Sequence, residues 1–324
     1  MSSGFNPFRG IPKHGLGALT GLFLGLGAVQ AQEINIPGPA GPLMAEAIAV
    51  AGSRDVVVII PGSGPIDRDG NGPAVGIVSD LYRQMAEGLA ERGIASIRVD
   101  KRGFGASAAA SAEPADINIA NYAQDMRGWV EKARDLAPCV WLAGHSEGGL
   151  VALVAAQDPP AGLCGVILLA TPGQPIGQLM IRQMDNLPAM TRLMPELRDI
   201  VADLEDGRTR PVQDISPALR TIFAPGLQDY MVGLFQYDPA GVAAEWHGPV
   251  LILQGARDFQ VTPQDAQKLA DAMPQAQLVL LPQATHMLKL DIPGQPFATY
   301  GNPALPPDPL LLPAITDFIA ANRP

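Results

Sequence analysis

Basic residues are scarce in this 324-residue chain. Lysine and arginine number 22 against 32 aspartates and glutamates, for a formal net charge of −10 at pH 7. A surface of that sign repels phosphate backbones and argues against nucleic acid as a partner. Histidine is rarer still: four are present, His14, His145, His247 and His286. Any histidine-dependent chemistry can therefore be assigned by elimination. Long apolar runs are missing beyond the first thirty residues, so no stable membrane insertion is expected of the rest. Internal repeats and low-complexity tracts are missing too. Hydrophobic residues make up 47% and charged residues 17%, a balance that supports a sizeable core and argues against wholesale disorder.

The one long apolar stretch, residues 15–28, follows Arg9 and Lys13 and leads into Ala28-Val29-Gln30-Ala31. A basic start, a short apolar middle and a small-residue exit are the three parts of a secretory signal. The stretch is shorter than the about 20 residues a membrane span needs. The pattern predicts a signal peptide over 1–31 and an exported protein, periplasmic or secreted. An uncleaved N-terminal anchor is the alternative. Losing Arg9 and Lys13 would take the net charge from −10 to −12.

Export changes how the two cysteines read. Cys139 and Cys164 each sit just before an apolar run. If those runs are neighbouring parallel strands, both thiols lie at one sheet edge. An oxidising compartment then favours a disulfide over two buried free thiols.

Strand-like runs at 56–60, 95–99, 140–143, 166–170, 250–253 and 278–281 are short, branched or leucine-rich, and not alternating. Strands buried on both faces of a parallel sheet look like this. Helical spacing fills 80–92, 119–136, 149–157 and 263–272, the last with Thr262 as N-cap and Pro263 at its first position. One or two lead-in strands are expected within 37–50. The alternation predicts an α/β protein with a mostly parallel, doubly covered sheet over 32–324. Between 170 and 250 no strand is evident, yet a structureless loop of that length is improbable. A helical lid insertion at about 174–246 is the expectation, carrying Met180, Met184, Met190, Met194 and Met231. These methionines suit packing between lid and core, or an adaptable apolar acyl site.

The strand at 140–143 runs into Gly144-His145-Ser146-Glu147-Gly148-Gly149 and then a helix beginning near Gly149. Small residues two positions either side of Ser146 let a strand reverse sharply into a helix and leave the hydroxyl exposed at the apex. Ser146 is the candidate nucleophile. A serine hydroxyl needs a base. His14 lies in the leader, His145 belongs to the turn, and His247 precedes a strand at the wrong edge of the sheet. His286 follows the strand at 278–281 by a short loop and reaches the carboxyl edge, where Ser146 lies. Asp258, just past the strand at 250–253, reaches the same edge and can orient His286. Oxyanion donors are expected from the N–H of Glu147 and from the loop Pro61-Gly62-Ser63-Gly64-Pro65, at Ser63 with Gly64 as the alternative. The segment Asp67-Arg68-Asp69-Gly70-Asn71 resembles the start of a calcium loop, but its twelfth position is Val78 and not a bidentate glutamate. Neither metal nor cofactor is expected; turn capping and a polar wall suit these residues better.

Four segments together resemble the α/β-hydrolase superfamily across residues 43–324. They are the Ile60-to-Asn71 stretch, Val99-Asp100-Lys101-Arg102-Gly103-Phe104-Gly105-Ala106-Ser107, the Ser146 turn, and Ala284-Thr285-His286-Met287. The chain looks most like a bacterial esterase branch with Pro-Gly-Ser-Gly-Pro where many relatives have His-Gly. Asp100 and Arg102 match a structural motif at a strand end. The resemblance implies a carboxylesterase-like serine hydrolase acting on a small-molecule ester. An exported peptidase or amidase on the same triad, or a non-catalytic binding module, are the other readings, since a fold does not fix a substrate. A lid closing over a small pocket would favour short acyl groups.

Overall fold

The computed structural model describes Met1 and residues 31–324. The expected leader therefore lies outside the described residues, apart from its two ends. The chain opens with strands β1 (Ala31–Ile36) and β2 (Leu43–Ile48), paired antiparallel with Ala31 opposite Ile48. The lead-in pair starts earlier than the sequence suggested, and Pro37 to Pro42 forms the connection between its strands. Only Ile36 of β1 is buried, as befits an edge strand with one wet face, so β1 carries little apolar signal.

The repeating units follow. They are β3 (Asp55–Ile60), a small hairpin of β4 (Asn71–Gly72) and β5 (Ile77–Val78), α1 (Leu81–Ala90), β6 (Ala95–Val99), α2 (Ile119–Ala133), β7 (Cys139–His145), α3 (Glu147–Ala156) and β8 (Leu163–Leu169). Four helices then occupy the stretch without strands: α4 (Ile176–Asp185), α5 (Met194–Glu205), α6 (Pro225–Leu234) and α7 (Pro239–Ala243). The chain closes with β9 (Val250–Gly255), α8 (Pro263–Ala272), β10 (Gln277–Leu281), α9 (Ala298–Gly301) and α10 (Leu311–Asn322). At the start of α8, the Asp265 carboxylate accepts from the Thr262 N–H at 2.9 Å, closing the N-terminal turn.

The large sheet has eight strands in the order β1-β2-β6-β3-β7-β8-β9-β10. β2 pairs antiparallel with both neighbours, and every pair from β6 to β10 is parallel. Alternation along β3 divides the interior. Val56, Val58 and Ile60 face a core built with α2, α3 and α8; Val57 and Ile59 face a second core built with α1 and α10. Both faces are covered, which is why the central strands are apolar at consecutive positions and not at every second one. No described helix is long and apolar enough to cross a membrane.

Cys139 and Cys164 stand near the amino ends of neighbouring strands β7 and β8, with Cα atoms 5.6 Å apart, and are joined as a disulfide. The bridge ties the amino ends of β7 and β8, at the sheet edge opposite Ser146.

Candidate active site

β7 passes directly into α3 through Ser146, whose φ of 54° and ψ of −122° are unusual for a residue with a side chain. The helix begins at Glu147, two residues earlier than the sequence indicated, because this one strained residue accomplishes the whole reversal. Glycine is required on either side by close approach. A Cβ on Gly144 would strike the Gly148 carbonyl oxygen, and one on Gly148 would lie 2.5 Å from the Ile60 oxygen. The Ser146 N–H donates to the Leu169 carbonyl of β8 at 2.8 Å, which fixes the turn to the sheet.

Asp258 follows β9 and is buried, with both carboxylate oxygens committed. Oδ1 accepts from the Gln260 N–H at 2.8 Å and the Val261 N–H at 3.0 Å. Oδ2 accepts from Gln254 Nε2 at 3.2 Å and pairs with His286 Nδ1 at 2.7 Å. The carboxylate cannot turn without losing several bonds, so it holds the imidazole in one orientation. His286 and Ser146 line one small cavity. Ser146 Oγ makes no hydrogen bond among the described residues, and such contacts commonly tighten only when substrate is bound. His247 is exposed, three residues before β9, away from this edge.

The loop after β3 lies against the serine: a Cβ on Gly62 would come 3.4 Å from Ser146 Cβ. The Gly62 N–H is taken by Tyr82 Oη at 3.1 Å. Among the described residues no protein acceptor takes the N–H of Ser63 or of Glu147. Ser63, Gly64 and Glu147 all line the main cavity. Lys101 adds orientation. Its ammonium donates to the Gly62 carbonyl at 2.6 Å. In a trans peptide the C=O and the following N–H point opposite ways, so this bond turns the Ser63 N–H away from Lys101.

Lys101 itself is 1% exposed, two residues past β6, every residue of which is buried. It donates to Glu147 Oε1 at 3.0 Å and lies 5.0 Å from the centre of the Tyr122 ring. Glu147 Oε2 accepts from Tyr230 Oη of α6 at 2.6 Å. One buried chain of contacts thus connects the loop after β3, the serine turn and a helix of the strandless stretch. Asp100 and Arg102 stand outside the cavities. Asp100 binds Arg68 through that residue's N–H and guanidinium, and Arg102 pairs with Asp125 of α2. Asp67 Oδ1 accepts from the Asp69 and Asn71 N–H groups at 2.9 Å each, as a turn-forming carboxylate does.

His145 has a part that the sequence reading left to the backbone alone. Its Nδ1 meets Tyr82 Oη at 2.8 Å and its Nε2 meets the His286 carbonyl at 2.8 Å. Directions follow by elimination. The carbonyl can only accept, so Nε2 carries the proton and Nδ1 accepts from the tyrosine hydroxyl. That hydroxyl's oxygen receives the Gly62 N–H. The chain requires neutral His145, and burial, aided by nearby His286, pushes its imidazole down to about 3. Unfolded, it titrates at the ordinary value of 6.5. As pH falls from 6.5 towards 3, the unfolded chain takes up a proton that the folded protein refuses. His145 therefore lowers stability in that window by up to about 1.4 kcal/mol per pH unit. Denaturant melts between pH 7 and pH 4.5 should show this slope, and His145→Gln should flatten it. Equal slopes in both proteins would contradict the assignment. No local signal marks Tyr82 or Tyr230, whose partners lie far away in sequence. Lys101 could have been noticed as a lysine two residues past a predicted strand, at the sheet edge where Ser146 lies.

The main cavity measures about 610 Å³, larger than the small pocket considered from sequence. Leu179 and Met180 of α4 and Leu227, Tyr230 and Met231 of α6 line it opposite Ser146. The methionines differ in position. Met180 and Met231 face the cavity, Met194 is buried in the core, and Met184 and Met190 pack against that core.

Residues 75–216 match the family described as serine aminopeptidase, S33, a segment that includes Ser146 and stops before Asp258 and His286. The chain is 27% identical over 234 residues to Esterase EstD of Thermotoga maritima. That match covers 72% of this chain and 51% of EstD, so the chain spans about half the length of the curated relative it matches. Among solved structures, an esterase of Pyrococcus furiosus superposes with a TM-score of 0.59 at 15% identity, over 92% of each chain. Est1E of Butyrivibrio proteoclasticus, with ferulic acid bound, gives 0.58 at 16% identity over 89% of this chain and 98% of its own. With this strand order, helices on both sheet faces and these structural neighbours, the chain has the α/β-hydrolase fold.

Proposed function

We propose that this protein is a serine hydrolase of carboxylic esters working through an acyl-enzyme on Ser146. The observation that carries the reading is the buried Asp258–His286 pair, its carboxylate fixed by three further bonds, at the sheet edge where strained Ser146 stands. His286 takes the hydroxyl proton as Ser146 attacks the carbonyl carbon, and Asp258 stabilises the resulting imidazolium. The N–H groups of Ser63 and Glu147 receive the developing oxyanion, with Gly64 as the alternative to Ser63. The proton passes to the leaving alcohol, and water then releases the acid by the same steps. No cofactor takes part. In this reading α4 to α7 form the lid, and the Cys139–Cys164 bridge suits an exported protein.

The name of the matched family suggests an aminopeptidase instead. Such an enzyme needs a free carboxylate for the substrate's ammonium group. Among the described residues the one carboxylate lining the main cavity is Glu147, and Lys101 and Tyr230 already occupy it. None of the lid residues lining that cavity is acidic. Esters are therefore favoured, in keeping with the esterase names of the relatives.

A fluorophosphonate probe tests the proposal. One label per chain is expected, on the peptide bearing Ser146, with hydrolysis of p-nitrophenyl esters lost in proportion. Labelling that survives in Ser146→Ala would refute the nucleophile. Neither labelling nor ester turnover would point to a binding module.

A further inference from the structure

Two cavities meet at Ser146, and they differ in size and in what surrounds them. The larger, about 610 Å³, is lined by Glu147 and by the lid side chains Leu179, Met180, Leu227 and Met231. The smaller, about 70 Å³, holds His286. Ser63, Ser146 and Gln260 belong to both, so an ester carbonyl at Ser146 extends one arm into each.

We infer that the larger cavity takes the acyl group and the smaller one the alcohol, so that the substrates are esters of bulky apolar acids with small alcohols. This inference rests on the hydrolase reading above. When the tetrahedral intermediate collapses, the bond between carbonyl carbon and alkoxy oxygen breaks. The electron pair stays on that oxygen, and the proton held by His286 goes to it. The departing oxygen must therefore stand within reach of His286. Only the smaller cavity offers that position, and the water that later attacks the acyl-enzyme needs the same place. The acyl chain is left with the other arm.

The walls reinforce the division. Ile66, Tyr82, Met287 and Tyr300, which enclose the smaller cavity, are all buried members of the second core. Close-packed core residues do not give way for a longer alcohol. On the acyl side Leu227 is 46% exposed, and Met180 and Met231 are half-buried. Flexible thioethers at that boundary can adapt to chains of different length.

An isomer pair tests the inference. Methyl octanoate and heptyl acetate contain the same atoms, so overall hydrophobicity cancels and only the distribution about the ester differs. Methyl octanoate should have the higher kcat/KM by at least about tenfold, a fraction of the roughly fourfold per methylene that complete burial would give. Met180→Trp, which fills part of the larger cavity, should lower the ratio of methyl octanoate to methyl acetate turnover by about tenfold. Equal rates on the two isomers, or a preference for heptyl acetate, in a protein whose Ser146 takes the phosphonate label overturn the division alone. Silence toward both esters with Ser146 unlabelled overturns the hydrolase reading and the division with it.

Discussion

Asp258→Asn is expected to lower kcat on any ester substrate by about 10⁴-fold while leaving the fold intact. The carboxylate side chain is fully buried and accepts all four of its bonds. Asparagine is the same size but presents one NH₂ group. If its oxygen keeps the Gln260 and Val261 N–H bonds, its NH₂ faces His286 Nδ1 and donates to it. The imidazole then carries its proton on Nε2, facing Ser146, where it can accept none. The damage is to the base and not to binding, so KM should change little. A pre-steady-state measurement should place the loss in acylation. A fall of tenfold or less would mean that His286 does not depend on Asp258 and that another acid orients it.

Lys101→Met is expected to act twice. Breaking a buried ion pair by removing one partner typically costs about 3–5 kcal/mol, because the other charge is left without compensation. Glu147 would keep only the Tyr230 hydroxyl as a partner. The same substitution frees the Gly62 carbonyl and with it the orientation of the Ser63 N–H, so kcat should fall by about 10²-fold, the worth of one oxyanion donor. The double variant Lys101→Met, Glu147→Gln separates the two effects. It removes the stranded charge and should regain most of the stability, measured by denaturant unfolding. It does not restore the bond to Gly62, so kcat should stay low. Recovery of kcat together with stability would show that Lys101 serves the fold alone.

The triad candidates were legible because each depends on short-range rules. A strand that must reverse within one residue demands glycine on both sides, and Gly144 and Gly148 announce it. His286 and Asp258 could be placed because each follows a predicted strand of a parallel sheet within a few residues, and all such strands end at one edge. The four histidines were few enough for elimination. The lead-in strands were misplaced because β1 is an edge strand with a single buried residue.

The sequence by itself determined the layered α/β plan, the glycine-flanked turn at Ser146 and the choice of His286 and Asp258 as candidates, since periodicity and chain order are local properties. Which charges and hydroxyls meet was decided only by the tertiary structure. Tyr82 and His145 are 63 residues apart, Lys101 and Glu147 46, and Glu147 and Tyr230 83. Their pairing follows from how helices dock on the sheet, which no spacing encodes. The same docking set the volumes on the two sides of Ser146. The cavity beside Ser146 is larger than the small pocket considered from the sequence, and residues of α4 and α6 form part of its wall.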